Sequence, residues 1–304
     1  VERYAAAASV GESEAPAAPS AEPPLAASAP AAAPAPGEAS PQLGAAQAPT
    51  PAATPPTVVT ITTGGEDETT ELPRLRRTIA EHMIRAKQTA AHVWTSVEVD
   101  YERVEQVRLN HREQFKSEEG FSLTYLPFIA RATMDALAAF PVVNSSIDLE
   151  AGMRIDHRAV NLGIAVDLNE KGLLVATVRD ADGQTLKRLA RSIRTMAVRT
   201  RDGQVTPDEI SGSTFTITNP GPFGSFMSAP IINLPNVAIL STDTVRKRPA
   251  VVSLPDGTDT IAVRHIGYLG LTWDHRAFDG STAVLFLDRI RTNLETWDWD
   301  QELR

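Results

Sequence analysis

Trp273-Asp274-His275-Arg276-Ala277-Phe278-Asp279-Gly280 closes an apolar run (Ile266, Tyr268, Leu269, Leu271, Trp273) and opens a helical one (Ala283, Phe286, Leu287, Ile290, Leu294). The change of period predicts a strand, a short turn and a helix. A histidine ending a buried strand, with a carboxylate four positions on and a glycine behind it, suits general-base chemistry. Asp279-Gly280-Ser281-Thr282 equally suits a helix start in which Asp279 is only a cap. From pattern alone both readings stay open.

The tetrapeptide Asp-His-Arg-Ala occurs a second time, at 156–159. There the position four beyond His157 is Asn161, and the chain continues as strand through Leu162, Ile164 and Val166. His157 therefore reads as structural. His82, His92, His111 and His265 stand singly, none at a spacing that supports a metal. Neither a Gly-x-Ser-x-Gly elbow nor a Gly-x-x-x-x-Gly-Lys loop is present. Acyl chemistry at His275 would need a donor for the oxyanion, and Thr218, ending the β-branched run from Ser213 before Asn219-Pro220-Gly221, has a suitable type and place. Strand threonines are commonly there for propensity alone.

Outward from the motif, regular periodicity fills residues 72–304. Helices are expected from Leu72 through Ala86, Tyr101 to Phe115, Thr124 to Phe140 and Thr185 to Arg199. Strands are expected at Val93 to Val99, Val142 to Ile147, Ala159 to Val166, Leu173 to Val178, Ser213 to Thr218, Ile231–Ile232, Val237 to Leu240 and Ile261 to Trp273. Pro255-Asp256-Gly257 reads as a hairpin turn. One α/β (α+β) domain with a substantial core follows.

Residues 1–71 differ in kind. Residues 1–56 hold 21 Ala and 12 of the 22 Pro. Such a stretch cannot bury enough apolar surface to offset its ordering entropy, so a flexible, disordered linker is expected. Nine acids against Arg3 alone put −8 of the net −9 within residues 1–72, leaving the remainder at −1. That balance gives no case for nucleic-acid binding, and no run reaches the length of a membrane span. With no cysteine in the chain, a thiolate nucleophile or thiolate metal site is excluded, and any thiol belongs to a substrate. No secretory signal opens the sequence, and Val1-Glu2-Arg3 is expected to be a fragment boundary.

Three blocks carry a family resemblance. Trp273 to Gly280 resembles the His-x-x-x-Asp-Gly signature of dihydrolipoamide acyltransferases, the E2 components of 2-oxo acid dehydrogenase complexes. Ser213 to Gly221 with Ile231 to Pro235 and Val237 to Leu240 is similar to that family's central block, and Leu75 to Met83 to its domain start. The resemblance implies a chloramphenicol-acetyltransferase-like catalytic domain over 72–304, forming trimers whose active sites lie between two subunits and which build a hollow 24-mer or 60-mer. It implies His275 as general base, Asp279 as its supporting carboxylate or a structural ion partner, Thr218 as oxyanion donor, and no metal. Coenzyme A would be the acyl acceptor, the lipoyl group would be carried on a domain absent from this chain, and E1 and E3 enzymes would be partners. Val1 to Tyr4 resembles the end of a peripheral-subunit-binding domain, expected within residues 1–8. The terminal Trp297, Trp299 and Leu303 would reach a neighbouring trimer. The location would be cytoplasmic in a bacterium and the mitochondrial matrix in a eukaryote. A catalytically silent scaffold and a small-molecule acetyltransferase of the same fold are the alternatives.

Overall fold

The structure, a computed structural model, describes residues 63–169 and 172–303. Most of the expected linker, and the binding-domain remnant expected at 1–8, lie outside the described residues; residues 63–71 form no helix or strand. In chain order the first elements are α1 (Arg74–Thr89), β1 (His92–Asp100), α2 (Glu102–Glu119), α3 (Tyr125–Ala139), β2 (Ser145–Asp148), β3 (Met153–Asp156), β4 (Leu162–Asp167) and β5 (Leu173–Val178). They continue with α4 (Leu186–Arg201), β6 (Phe215–Thr218), β7 (Ala238–Thr242), β8 (Arg246–Ser253), β9 (Asp259–Asp274), α5 (Gly280–Thr296) and α6 (Trp299–Glu302).

Seven strands make one mixed sheet in the order β1-β9-β7-β6-β4-β5, with β8 pairing on the first half of β9. Only β4 with β6 and β6 with β7 run parallel. Strand alternation sends Leu162, Ile164, Phe215, Ile217, Leu240, Leu269, Leu271 and Trp273 into the main core, which the inner faces of α3, α4 and α5 complete. Phe286 of α5 is fully buried and meets Phe215 and Phe140 edge-on, with centroids 5.9 and 6.4 Å away. Phe286→Ala is expected to cost about 3–5 kcal/mol, read as a lower denaturant midpoint.

Three departures from the sequence pattern have physical causes. Ile231–Ile232 forms no strand, because Pro230 and Pro235 bracket it and the Ile232 N–H bonds to His92 instead of a ladder. Val142 begins as a 3₁₀ turn (Pro141–Val143), and the strand starts only at Ser145. β8 was not legible, since Arg246-Lys247-Arg248-Pro249 lacks apolar alternation. It is held by backbone pairing, with Pro249 tolerated on an edge opposite Val263.

The tail folds onto its own subunit. Trp299 is fully buried, edge-on to Phe128 at 5.2 Å, and donates from Nε1 to the Leu294 carbonyl at 3.1 Å. His111 Nε2 lies 2.6 Å from Asp300, and Arg131 bonds Glu302 at 2.9 Å while lying over Trp297. Trp299 and Leu303 are thus consumed inside this chain instead of being presented to another.

Candidate active site

The first half of the site is the turn that ends β9. Asp274, with 3 % of its side chain exposed, accepts from Ala91 N (3.1 Å), Arg276 N (3.1 Å) and the Arg276 guanidinium (Nη2 at 2.6 Å). Burial alone would raise this carboxyl. The Arg276 side chain, the two backbone donors and the guanidinium charge outweigh burial and hold it below the usual carboxylate range. His275 N donates to Ala91 O at 2.9 Å, and Trp273 Nε1 donates to Phe278 O at 3.1 Å beneath a stacked Phe278 ring. The turn is held on both sides, and the His275 imidazole, 45 % exposed, projects from it.

Because the Asp274 carboxyl is depressed, its stabilising contribution is present above the unfolded value and is lost as pH falls through the folded one. Asp274→Asn is expected to cost about 1–3 kcal/mol at neutral pH, the scale of losing charge-assisted bonds to a partly exposed Arg276, and to flatten the acid limb of stability. Urea denaturation across a pH series measures both.

Asp279 fulfils neither sequence reading as a hydrogen bond. Its Oδ1 is 3.8 Å from His275 Nδ1, outside hydrogen-bond range, and the side chain is 84 % exposed. It occupies the N-cap position of α5 without a side-chain cap bond. What it supplies is a negative charge beside the imidazole and at a helix N-terminus. The residues that hold the turn, Asp274 and Arg276, were quoted in the motif without a role. The same acid and base flank His157, where Asp156 pairs with Arg154 instead, so the spacing alone does not signal the role.

The second half is Thr218, the last residue of β6, level with Ser241 of β7. It borders a cavity of about 670 Å³ shared with Leu126, Val166, Ile193, Arg201 and Phe223. The loop beyond it is tied down by polar anchors that the sequence did not reveal. Thr244 Oγ1 donates to Gly221 O at 2.6 Å, and the buried Asp243 carboxylate accepts from Ser225 Oγ, Ser228 Oγ and Ser228 N. Ser228 O accepts from Trp94 Nε1 and Ser241 Oγ directly over Gly270, where a Cβ would lie 3.0 Å from that oxygen. Only glycine lets this loop lie on the sheet.

The two halves do not meet within one chain. Thr218 is level with Ser241 and hence with Gly270, five residues before His275 on a strand two places away. Strand rise and spacing put them on the order of 20 Å apart. His157, the near-copy, is held by Ser146 at 2.9 Å beside the β2–β3 hairpin. Among the described residues no group of three or more His, Asp or Glu could hold a metal, and no helix is long and apolar enough to cross a membrane.

A family model described as 2-oxoacid dehydrogenases acyltransferase (catalytic domain) matches residues 64–299. The chain is 37 % identical over 236 residues to the acetyltransferase component of the pyruvate dehydrogenase complex of Corynebacterium glutamicum, covering 78 % of this chain and 35 % of that protein. It is 39 % identical over 225 residues to the lipoamide acyltransferase component of the branched-chain alpha-keto acid dehydrogenase complex of Bacillus subtilis (74 % and 51 %). To the succinyltransferase component of the 2-oxoglutarate dehydrogenase complex of Bartonella vinsonii it is 40 % identical over 230 residues (75 % and 54 %). The chain thus spans about a third to a half of these relatives' length. Among solved structures, a probable dihydrolipoamide acetyltransferase of Listeria monocytogenes superposes with a TM-score of 0.71 at 37 % identity, covering 76 % of this chain and 96 % of that one. The dihydrolipoamide acetyltransferase of Azotobacter vinelandii gives 0.71 at 29 %, covering 81 % and 100 %.

Proposed function

The chain belongs to the 2-oxoacid dehydrogenase acyltransferase (catalytic domain) family, and from that premise we propose that it transfers an acyl group between dihydrolipoamide and coenzyme A within a trimeric core. The observation that carries the reading is the His275 turn: an exposed imidazole on a backbone fixed by Asp274, Arg276 and Ala91. In the Azotobacter vinelandii relative a serine, a histidine and an asparagine four positions after the histidine are named for roles in the catalytic mechanism. Thr218, His275 and Asp279 stand in the same order, with the last two at the same spacing.

His275 takes the proton of the coenzyme A thiol, which at a pKa near 8.5 is mostly protonated at neutral pH. The sulfur attacks the acyl-dihydrolipoyl thioester carbonyl, forming a new C–S bond and a tetrahedral oxyanion. Thr218 of a second copy donates to that oxygen. Collapse breaks the bond to the dihydrolipoyl sulfur, which takes the proton back from His275. No acyl-enzyme is needed, in keeping with a chain that has no cysteine.

The separation of His275 from Thr218 within one chain favours a site shared between copies, since reacting groups must approach to about 3–3.5 Å. Exposed aliphatics on the β8–β9 ribbon (Val251, Ile261, Val263) and on α1 (Leu75, Ile84) supply the surface for that neighbour. In the full complex this core would receive acylated lipoyl groups from E1 and return reduced ones to E3. The test is acyl transfer from acetyl-, succinyl- and branched-chain acyl-CoA to dihydrolipoamide by the assembled chain. A kcat/KM above background with at least one donor is expected; an intact assembly that turns over none would favour the silent scaffold.

A further inference from the structure

We propose that His92 is a positioning residue for His275, an assignment whose catalytic consequence rests on the function proposed above. His92 opens β1 opposite Asp274, and its ring joins two distant pieces of backbone. Nδ1 lies 3.0 Å from Ala90 O, and Nε2 lies 3.2 Å from the Ile232 nitrogen. The amide of Ile232 can only donate, so Nε2 is the bare nitrogen. The carbonyl of Ala90 can only accept, so Nδ1 carries the hydrogen. The two contacts select one tautomer of the ring, a bridge across 140 positions of chain.

That bridge brackets the residue on which the catalytic turn is hung. Both backbone groups of Ala91 are used there: its N–H donates to the Asp274 carboxylate at 3.1 Å, and its carbonyl accepts from His275 N at 2.9 Å. Ala91 has no polar side chain with which to fix its peptide. Its place is set by its neighbours, Ala90 through the His92 ring and His92 through Ile232. Ala90 and Ile232 also pack with Ile239 in a small buried cluster apart from the main core. Removing the imidazole takes away the polar tie to Ile232 and one of the two donors on the Ala90 carbonyl, leaving that carbonyl to the His92 N–H and the Ala91 peptide to its bonds with Asp274 and His275. His275 then loses its fixed position while the main core keeps its packing.

The experiment compares wild type, His92→Ala and His92→Gln as assembled full-length chain. The glutamine keeps one donor and one acceptor on a single side chain. Two readouts are taken: kcat and KM for both thiols, and hydrogen exchange of the peptide spanning residues 273–279. His92→Ala is expected to lower kcat about tenfold with KM within about twofold, because a displaced base loses rate more than affinity. It should also speed exchange of the His275 amide by about the same factor, with His92→Gln recovering the larger part of both. Unchanged exchange at 273–279 in His92→Ala overturns the proposal, as does a kcat within twofold of wild type or a glutamine variant no better than alanine. If wild type itself proves inactive, the transfer reading fails, and the exchange measurement alone decides whether His92 places the turn.

Discussion

Replacing His275 by alanine is expected to lower acyl transfer by about 10² to 10⁴ in kcat while leaving assembly and KM for either thiol nearly unchanged. The side chain points away from the bonds that hold its own backbone: the anchors are Ala91 O to His275 N and the Asp274 carboxylate to Ala91 N and Arg276. Truncation at Cβ therefore leaves the turn in place and spares the core. The loss should be largest near neutral pH, where the acceptor thiol is mostly protonated, and should shrink as pH approaches the thiol's own pKa of about 8.5. A pH series of transfer rates by His275→Ala checks this. A deficit that stays constant up to pH 9 would mean that the imidazole does something other than take the thiol proton.

Thr218→Ala is expected to cost on the order of a hundredfold, the scale of losing one oxyanion donor. The larger effect comes from mixing. If each site takes His275 from one copy and Thr218 from the next, then co-assembling the two nearly dead variants in equal amounts regenerates intact sites at about a quarter of the interfaces. Activity should rise from background to about that fraction of wild type. A mixture no more active than its components, with co-assembly verified by mass, would mean that both residues act within one chain or that one of them does not act at all.

How much of this was readable beforehand depended on which forces left a mark in the order of residues. Strands announced themselves as short apolar runs, as Leu173–Val178 and the run ending at Trp273 show, since a strand packed into the core needs apolar side chains along it. The same is true of α4, whose Leu186, Leu189, Ile193 and Met196 stripe lies inside. β8 left no such mark, because backbone pairing holds it. At the site, His275 and Thr218 were legible as residue types at the ends of strands. The support for them was not: Asp243 clasping Ser225 and Ser228, and His92 bridging Ala90 to Ile232, join residues 15 or more positions apart through single polar atoms. No periodicity records contacts of that kind. The four-residue spacing to Asp279 was legible as proximity to the imidazole, at 3.8 Å, while the geometry of that contact was not.

The place of β9 in the sheet also has a temporal meaning. Strands β4, β5, β6 and β7 can pair with one another as soon as they are synthesised, whereas β1, made before all of them, pairs only with β9 among the described strands. β9 spans Asp259–Asp274, so among the described strands the first must wait for the last. On the ribosome β1 therefore stays an open edge while some 160 further residues emerge, the condition under which nascent chains are most exposed to mispairing and to chaperones. The strand that leads into His275 is the one that closes the sheet, so a chain truncated before it would lack His275 and also leave β1 without a partner.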